Sequence, residues 1–137
     1  MWGIFALLSA LFAALTAIFA KVGIKCIDSD LATAIRTVVI LIIAWGIVFT
    51  KGAATGIYTL SKQNLFFLLL SGCATGLSWI FYFKALQIGE VSKVAPVDKS
   101  SVALAIILSV IFLGEPVTLK TAIGAGLIIV GTIVLIL

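Results

Sequence analysis

Histidine is absent from the 137 residues. That excludes metal centres built on imidazole and proton relays that pass through it. The two cysteines, Cys26 and Cys73, are too few for a cysteine-only structural zinc site. Cys73 falls midway along a hydrophobic run and Cys26 near the end of another, so both read as small apolar packing residues rather than as a disulfide. Charge is scarce as well, at 10% of residues. No nucleophile stands in a recognisable pairing with a base and no cluster of metal-ligating side chains is visible, so neither an enzyme nor a metal or other cofactor is expected. The net charge of +4 comes from basic residues scattered at the ends of apolar runs, not from a patch, and no nucleic-acid partner is expected. Lysines in those places ordinarily snorkel to lipid headgroups. The alternation of apolar and polar residues that a membrane barrel strand requires is also missing.

What fills the sequence instead is hydrocarbon. Hydrophobic residues make up 64% of it, in long unbroken runs, with a mean hydropathy of +1.38. A soluble domain of this size has no interior large enough to hide that surface. In lipid every backbone polar group must be satisfied internally, so the runs read as helices. The expectation is an all-α, multi-pass integral membrane protein of the cell inner (plasma) membrane, with the lipid bilayer as its surroundings. Five transmembrane helices are expected, at about residues 2–20, 31–50, 65–86, 94–113 and 119–137, forming a single domain over 1–137.

The first run lacks the positive leading region of a signal peptide and is long for one, so it reads as a retained span. Asp28, Ser29 and Asp30 are N-cap candidates for the second helix. Arg36 lies five residues into that helix, about 7 Å along its axis from Leu31. Two readings stand open: the guanidinium snorkels to the surface, or it lines a polar cavity. In the third run Gly72 and Gly76 make a GxxxG pair suited to close helix packing. Thr75, Trp79, Tyr82, Phe83 and Leu86 share a face there at helical spacing, and Lys84 follows. The aromatics read either as an interfacial belt or as a stacking wall for an organic substrate.

The fourth run poses a length problem. Val102 to Leu113 is twelve residues, whereas a spanning helix needs about 20 at about 1.5 Å each. The helix must therefore begin near Val94. Pro96 then fits the first turn, where its missing N–H costs nothing. Asp98 and Lys99 fall inside the helix, one or two turns below the membrane surface, and intramembrane ionisable groups default to function. Asp98 is the only carboxylate inside an expected span, which makes it the protonatable candidate. The bland reading is a first-turn carboxylate that complements the helix end and pairs with a lysine. Gly114, Glu115 and Pro116 read as a stop and turn, and Thr118 as the cap of the fifth helix.

Lysines on the side of the first and third links are Lys21, Lys25, Lys84, Lys93 and Lys99; the other side holds Lys51, Lys62 and Lys120. Counted in full, they weakly favour an outside N-terminus. If Lys84 and Lys99 belong to the bundle interior, the remaining count is three against three and specifies no orientation. Insertion in both orientations is compatible with that balance.

The run Ala85-Leu86-Gln87-Ile88-Gly89-Glu90-Val91-Ser92-Lys93-Val94-Ala95-Pro96 resembles the helix-start segment of EamA-like domains, of the drug/metabolite transporter superfamily. The resemblance continues through Phe112-Leu113-Gly114-Glu115-Pro116-Val117-Thr118 and through Gly124-Ala125-Gly126-Leu127-Ile128-Ile129-Val130-Gly131; it covers about the last 55 residues, and about the first 65 by hydropathy alone. Lys93, Asp98 and Lys99 depart from the common pattern. Most EamA-like transporters carry two five-helix units in inverted orientation, and the resemblance implies that this chain is one such half. Two copies inserted oppositely then make the ten-helix homodimer that alternating access calls for. The expected function is a proton-coupled secondary exporter of a small organic metabolite or amphipathic compound. Asp98 would couple protons, and Lys99, Lys84 or Arg36 would balance it or hold an anionic group. Trp79, Tyr82 and Phe83 would hold apolar substrate surface, in a cavity lined by the third and fourth helices. Glu90, Lys93 and Pro96 mark the start of the fourth. The alternatives are a non-transporting or heterodimeric membrane subunit and a lipid flippase.

Overall fold

The computed structural model describes residues 2–137, and the described residues contain helices but no strands. The helices are α1 (Trp2–Gly23), α2 (Ser29–Thr50), α3 (Lys62–Ile88), α4 (Val91–Lys99), α5 (Ser101–Leu113) and α6 (Leu119–Ile136), with a 3-10 helix at Ala53–Thr59. Since α4 and α5 together cover one stretch, Val91–Leu113, the described residues hold five helices long and apolar enough to cross a membrane. The expected fold class is the observed one.

Local chemistry sets most of the boundaries. Asp28 is extended (φ −63°, ψ 137°), and its carboxylate accepts from the N–H groups of Asp30 and Leu31 at 2.8 and 3.1 Å. That cap starts α2 at Ser29, two residues before hydropathy alone places it. The Thr118 hydroxyl accepts from the Thr121 N–H at 3.2 Å and starts α6. α5 stops at Gly114, whose φ of 66° is left-handed, and the Glu115 N–H reaches back to the Ser109 carbonyl at 3.4 Å. α3 has 27 residues, about 40 Å of helix. That exceeds a hydrocarbon core of about 30 Å, so its polar ends, Lys62-Gln63-Asn64 and Lys84 to Gln87, extend toward the headgroups.

The fourth span corrects the expectation. It begins at Val91, not near Val94, because the Glu90 carbonyl already accepts from the N–H groups of Lys93 (3.1 Å) and Val94 (2.9 Å). Pro96 is consequently in the second turn rather than the first, and the Ser92 carbonyl loses its helical donor. The helix breaks four residues later. At Ser100 one N–H is shared between the carbonyls of Pro96 and Val97, each at 3.1 Å. The Ser100 hydroxyl also donates to the Val97 carbonyl, at 2.6 Å. Ser100 keeps right-handed helical dihedrals (φ −62°, ψ −17°), so the interruption is a tightened turn within the span, while the bond that Pro96 removes is the earlier one at Ser92. Asp98 lies in the last turn of α4 and not in a first turn, so the helix-start complement expected for it does not apply.

Contacts group the chain into two units. One holds residues up to Phe19 with Ile88–Leu137, and the other Ala20–Gln87. The core of the Ala20–Gln87 unit lies at one end, where α1 finishes, α2 starts and α3 finishes. Its buried residues are Ala20, Ile24, Ser29, Ala32, Thr33, Phe83 and Leu86. The Thr33 hydroxyl is satisfied by the Ser29 carbonyl at 2.9 Å. In the other unit α6 packs on α4 and α5. The Thr132 hydroxyl lies among them, bonded to the carbonyls of Ile128 (2.8 Å) and Pro96 (3.3 Å). Outside these clusters the large apolar side chains are exposed, as lipid-facing residues are. The Gly72–Gly76 pair makes no close approach among the described residues, for a Cβ added at either would meet nothing within 4 Å.

Candidate functional site

The packed end of the Ala20–Gln87 unit carries a cluster of polar side chains. Two long-range bonds tie α3 to the α1–α2 region: Lys21 Nζ donates to the Leu86 carbonyl, and Gln87 Nε2 donates to the Ile27 carbonyl at 3.0 Å. Lys84 pairs with Asp30 at 3.3 Å, both about half exposed. Lys84, expected as a substrate or coupling residue, thus has a carboxylate partner at the rim.

Arg36 lies one turn further in, on the same face of α2 as the buried Ala32 and Thr33. From Ser29 it is about 10 Å along the helix. Its guanidinium carbon stands 4.4 Å from the centre of the Phe83 ring and 5.4 Å from that of Trp79. These are cation–π distances. Phe83 is fully buried and meets Tyr82 edge-on, with ring centres 6.1 Å apart. Trp79 and Phe83 are one helical turn apart on α3, so they form one wall with the arginine over it. Of the residues expected at the site, Arg36, Trp79, Tyr82 and Phe83 are brought together. Among the described residues no carboxylate lies within ion-pair distance of Arg36.

The other unit holds Asp98 and Lys99. They face each other across 3.1 Å, immediately before the break at Ser100. The Asp98 side chain is 29% exposed and that of Lys99 is 61% exposed. With the span starting at Val91, Asp98 lies about 10 Å along it, two turns in. Pro96 sits on the same segment, its carbonyl engaged by Thr132, while Glu90 and Lys93 form the first turn. Sequence reasoning missed Asp30, which it treated only as a cap, together with Lys21, Gln87 and Thr132. A lysine and an aspartate far apart in sequence carry no local signal of pairing. Thr132, a hydroxyl in an apolar run, was the one visible hint.

A family model described as the EamA-like transporter family matches residues 1–137. Among curated proteins the chain is similar to an "Uncharacterized transporter in cobO 3'region" of Sinorhizobium sp. The two are 48% identical over 134 residues, 98% of this chain and 95% of that protein. No solved structure matches the chain.

Proposed function

The chain belongs to the EamA-like transporter family and is a multi-pass membrane transporter, and on that premise we propose that it is a proton-coupled exporter of a small organic metabolite or amphipathic compound. It acts in the cell inner (plasma) membrane as a homodimer of oppositely inserted copies. The observation that carries the coupling is Asp98, a carboxylate two turns inside a span that breaks at Ser100. A charge at that depth is expensive and needs compensation, which Lys99 supplies at 3.1 Å. Protonation of Asp98 removes its half of the pair, leaving Lys99 charged beside the break. The segment thus has two electrostatic states linked to one proton.

Alternating access needs two similar halves around a site. Five spans supply one half, and a second copy is the simplest source of the other. The lysine balance, three against three once Lys84 and Lys99 are set aside, supports opposite insertion.

The coupling is tested in proteoliposomes that enclose a pH indicator. Organic compounds added outside should elicit proton movement with the native chain. With Asp98→Asn they should elicit none, at equal expression and equal oligomer size. Full proton movement in that variant would overturn the coupling role. A cysteine in place of Leu137, in a background lacking Cys26 and Cys73, should be labelled from both faces of the membrane. Labelling from one face only would end the antiparallel homodimer and favour a heterodimeric or non-transporting subunit.

A further inference from the structure

Arg36 is the chain's single arginine, and its described contacts are aromatic: the rings of Phe83 and Trp79, with Tyr82 in electrostatic reach. The rings of Phe83 and Trp79 attract its charge but offer no acceptor to its N–H donors. The carboxylates at the start of α2 are engaged elsewhere. Asp28 caps α2 through the N–H groups of Asp30 and Leu31. Asp30 pairs with Lys84. Lys21 and Lys84 add positive charge at the same end of the unit. The result is a cationic fork set over an aromatic wall, at a depth where an unmet charge is costly.

Resting on the reading of the chain as an exporter of organic compounds, we propose that Arg36, with Trp79 and Phe83, forms a binding site for an organic anion: a carboxylate or similar oxyanion on an apolar, preferably planar body. The oxyanion takes the two parallel N–H donors of the guanidinium, the arrangement that arginine offers and lysine does not. The apolar body lies on the Trp79 side, the half-buried member of the wall, whose indole can stack on another planar surface. Tyr82 stands next to Phe83 at the margin of the same wall. An anionic phospholipid headgroup shares the oxyanion chemistry, and the experiment separates it from the soluble ligand.

The test uses the purified full chain in phosphatidylcholine vesicles. Trp2 and Trp45 are replaced by phenylalanine so that Trp79 is the sole indole. Its emission is titrated with benzoate and phenylacetate, and with the neutral benzamide and phenylacetamide. The carboxylates should saturate the signal, the amides should bind at least about tenfold more weakly, and Arg36→Gln should weaken carboxylate binding about tenfold or more. Arg36→Lys, which keeps the charge and removes the fork, should fall between the two and guards against a variant that simply misfolds. Equal binding of amide and carboxylate would overturn the proposal. So would unchanged carboxylate binding in Arg36→Gln, or a Trp79 response to added phosphatidylglycerol with none to the carboxylates. The two proposals fail separately. A chain that binds carboxylates through Arg36 yet moves no protons contradicts the coupled exporter alone, and one that moves protons only with neutral or cationic compounds contradicts the anion site alone.

Discussion

Both units place charge at membrane depth, but they accommodate it in different ways. In Ala20–Gln87 the helices α2 and α3 run unbroken, and their polar groups find partners distant in sequence. Arg36 sits over Trp79 and Phe83, Lys84 meets Asp30, Lys21 meets the Leu86 carbonyl and Gln87 meets the Ile27 carbonyl. In the unit that contains Ile88–Leu137, Asp98 pairs with its own neighbour Lys99, and the helix is interrupted by a tightened turn at Ser100. A charge held by packing across helices is fixed in position, which suits recognition. A charge held beside a break in its own helix can change state with little else disturbed, which suits coupling.

The largest effect that sharpens this comparison should come from Phe83. It is 1% exposed at the centre of the packed end, so Phe83→Ala should cost about 3–5 kcal/mol. The check is the melting of the purified protein in detergent; a negligible change would mean that the packed end is not what fixes Arg36. Pro96→Ala acts in the opposite sense. Restoring an N–H to the helix interior should stabilise the span by up to about 3 kcal/mol and slow substrate-elicited proton flux. An unchanged flux would show that the bond missing at Ser92 is not needed. Lys84→Gln removes a half-exposed pair and should cost no more than about 1 kcal/mol, less at high salt. A larger loss would mean that Lys84 belongs to the site rather than its rim. Thr132→Val deletes the bond to the Pro96 carbonyl and should cost about 0.6 kcal/mol, read as a slight lowering of the melting temperature.

Five spans were legible because apolar length alone decides them in lipid. The caps Asp28 and Thr118 and the stop at Gly114 were legible because cap chemistry is local. The start of the fourth helix was not. Glu90, Ser92 and Lys93 are polar, and hydropathy reads them as a link, whereas the Glu90 carbonyl begins the helix by hydrogen bonding that hydropathy does not sense. Misplacing that start moved Pro96 into a harmless first turn and hid the bond it removes at Ser92. The nature of the site residues was legible from their rarity, since a lone arginine and a lone intraspan carboxylate stand out in so apolar a sequence. Their partners were not, because nothing near Arg36 in sequence announces Trp79 and Phe83, and Asp30 gave no sign of Lys84. The GxxxG pair shows the converse: a local motif with no neighbour to meet among the described residues.

The division between a recognition unit and a coupling unit rests most directly on one paired measurement. Carboxylate binding at Trp79 and proton-gradient-driven accumulation of the same carboxylate are read on the same vesicles, for Arg36→Gln and for Asp98→Asn. Arg36→Gln should lose both. Asp98→Asn should keep binding and lose only accumulation. If Asp98→Asn loses binding as fully as Arg36→Gln, or if Arg36→Gln accumulates the carboxylate as the native chain does, the division is contradicted.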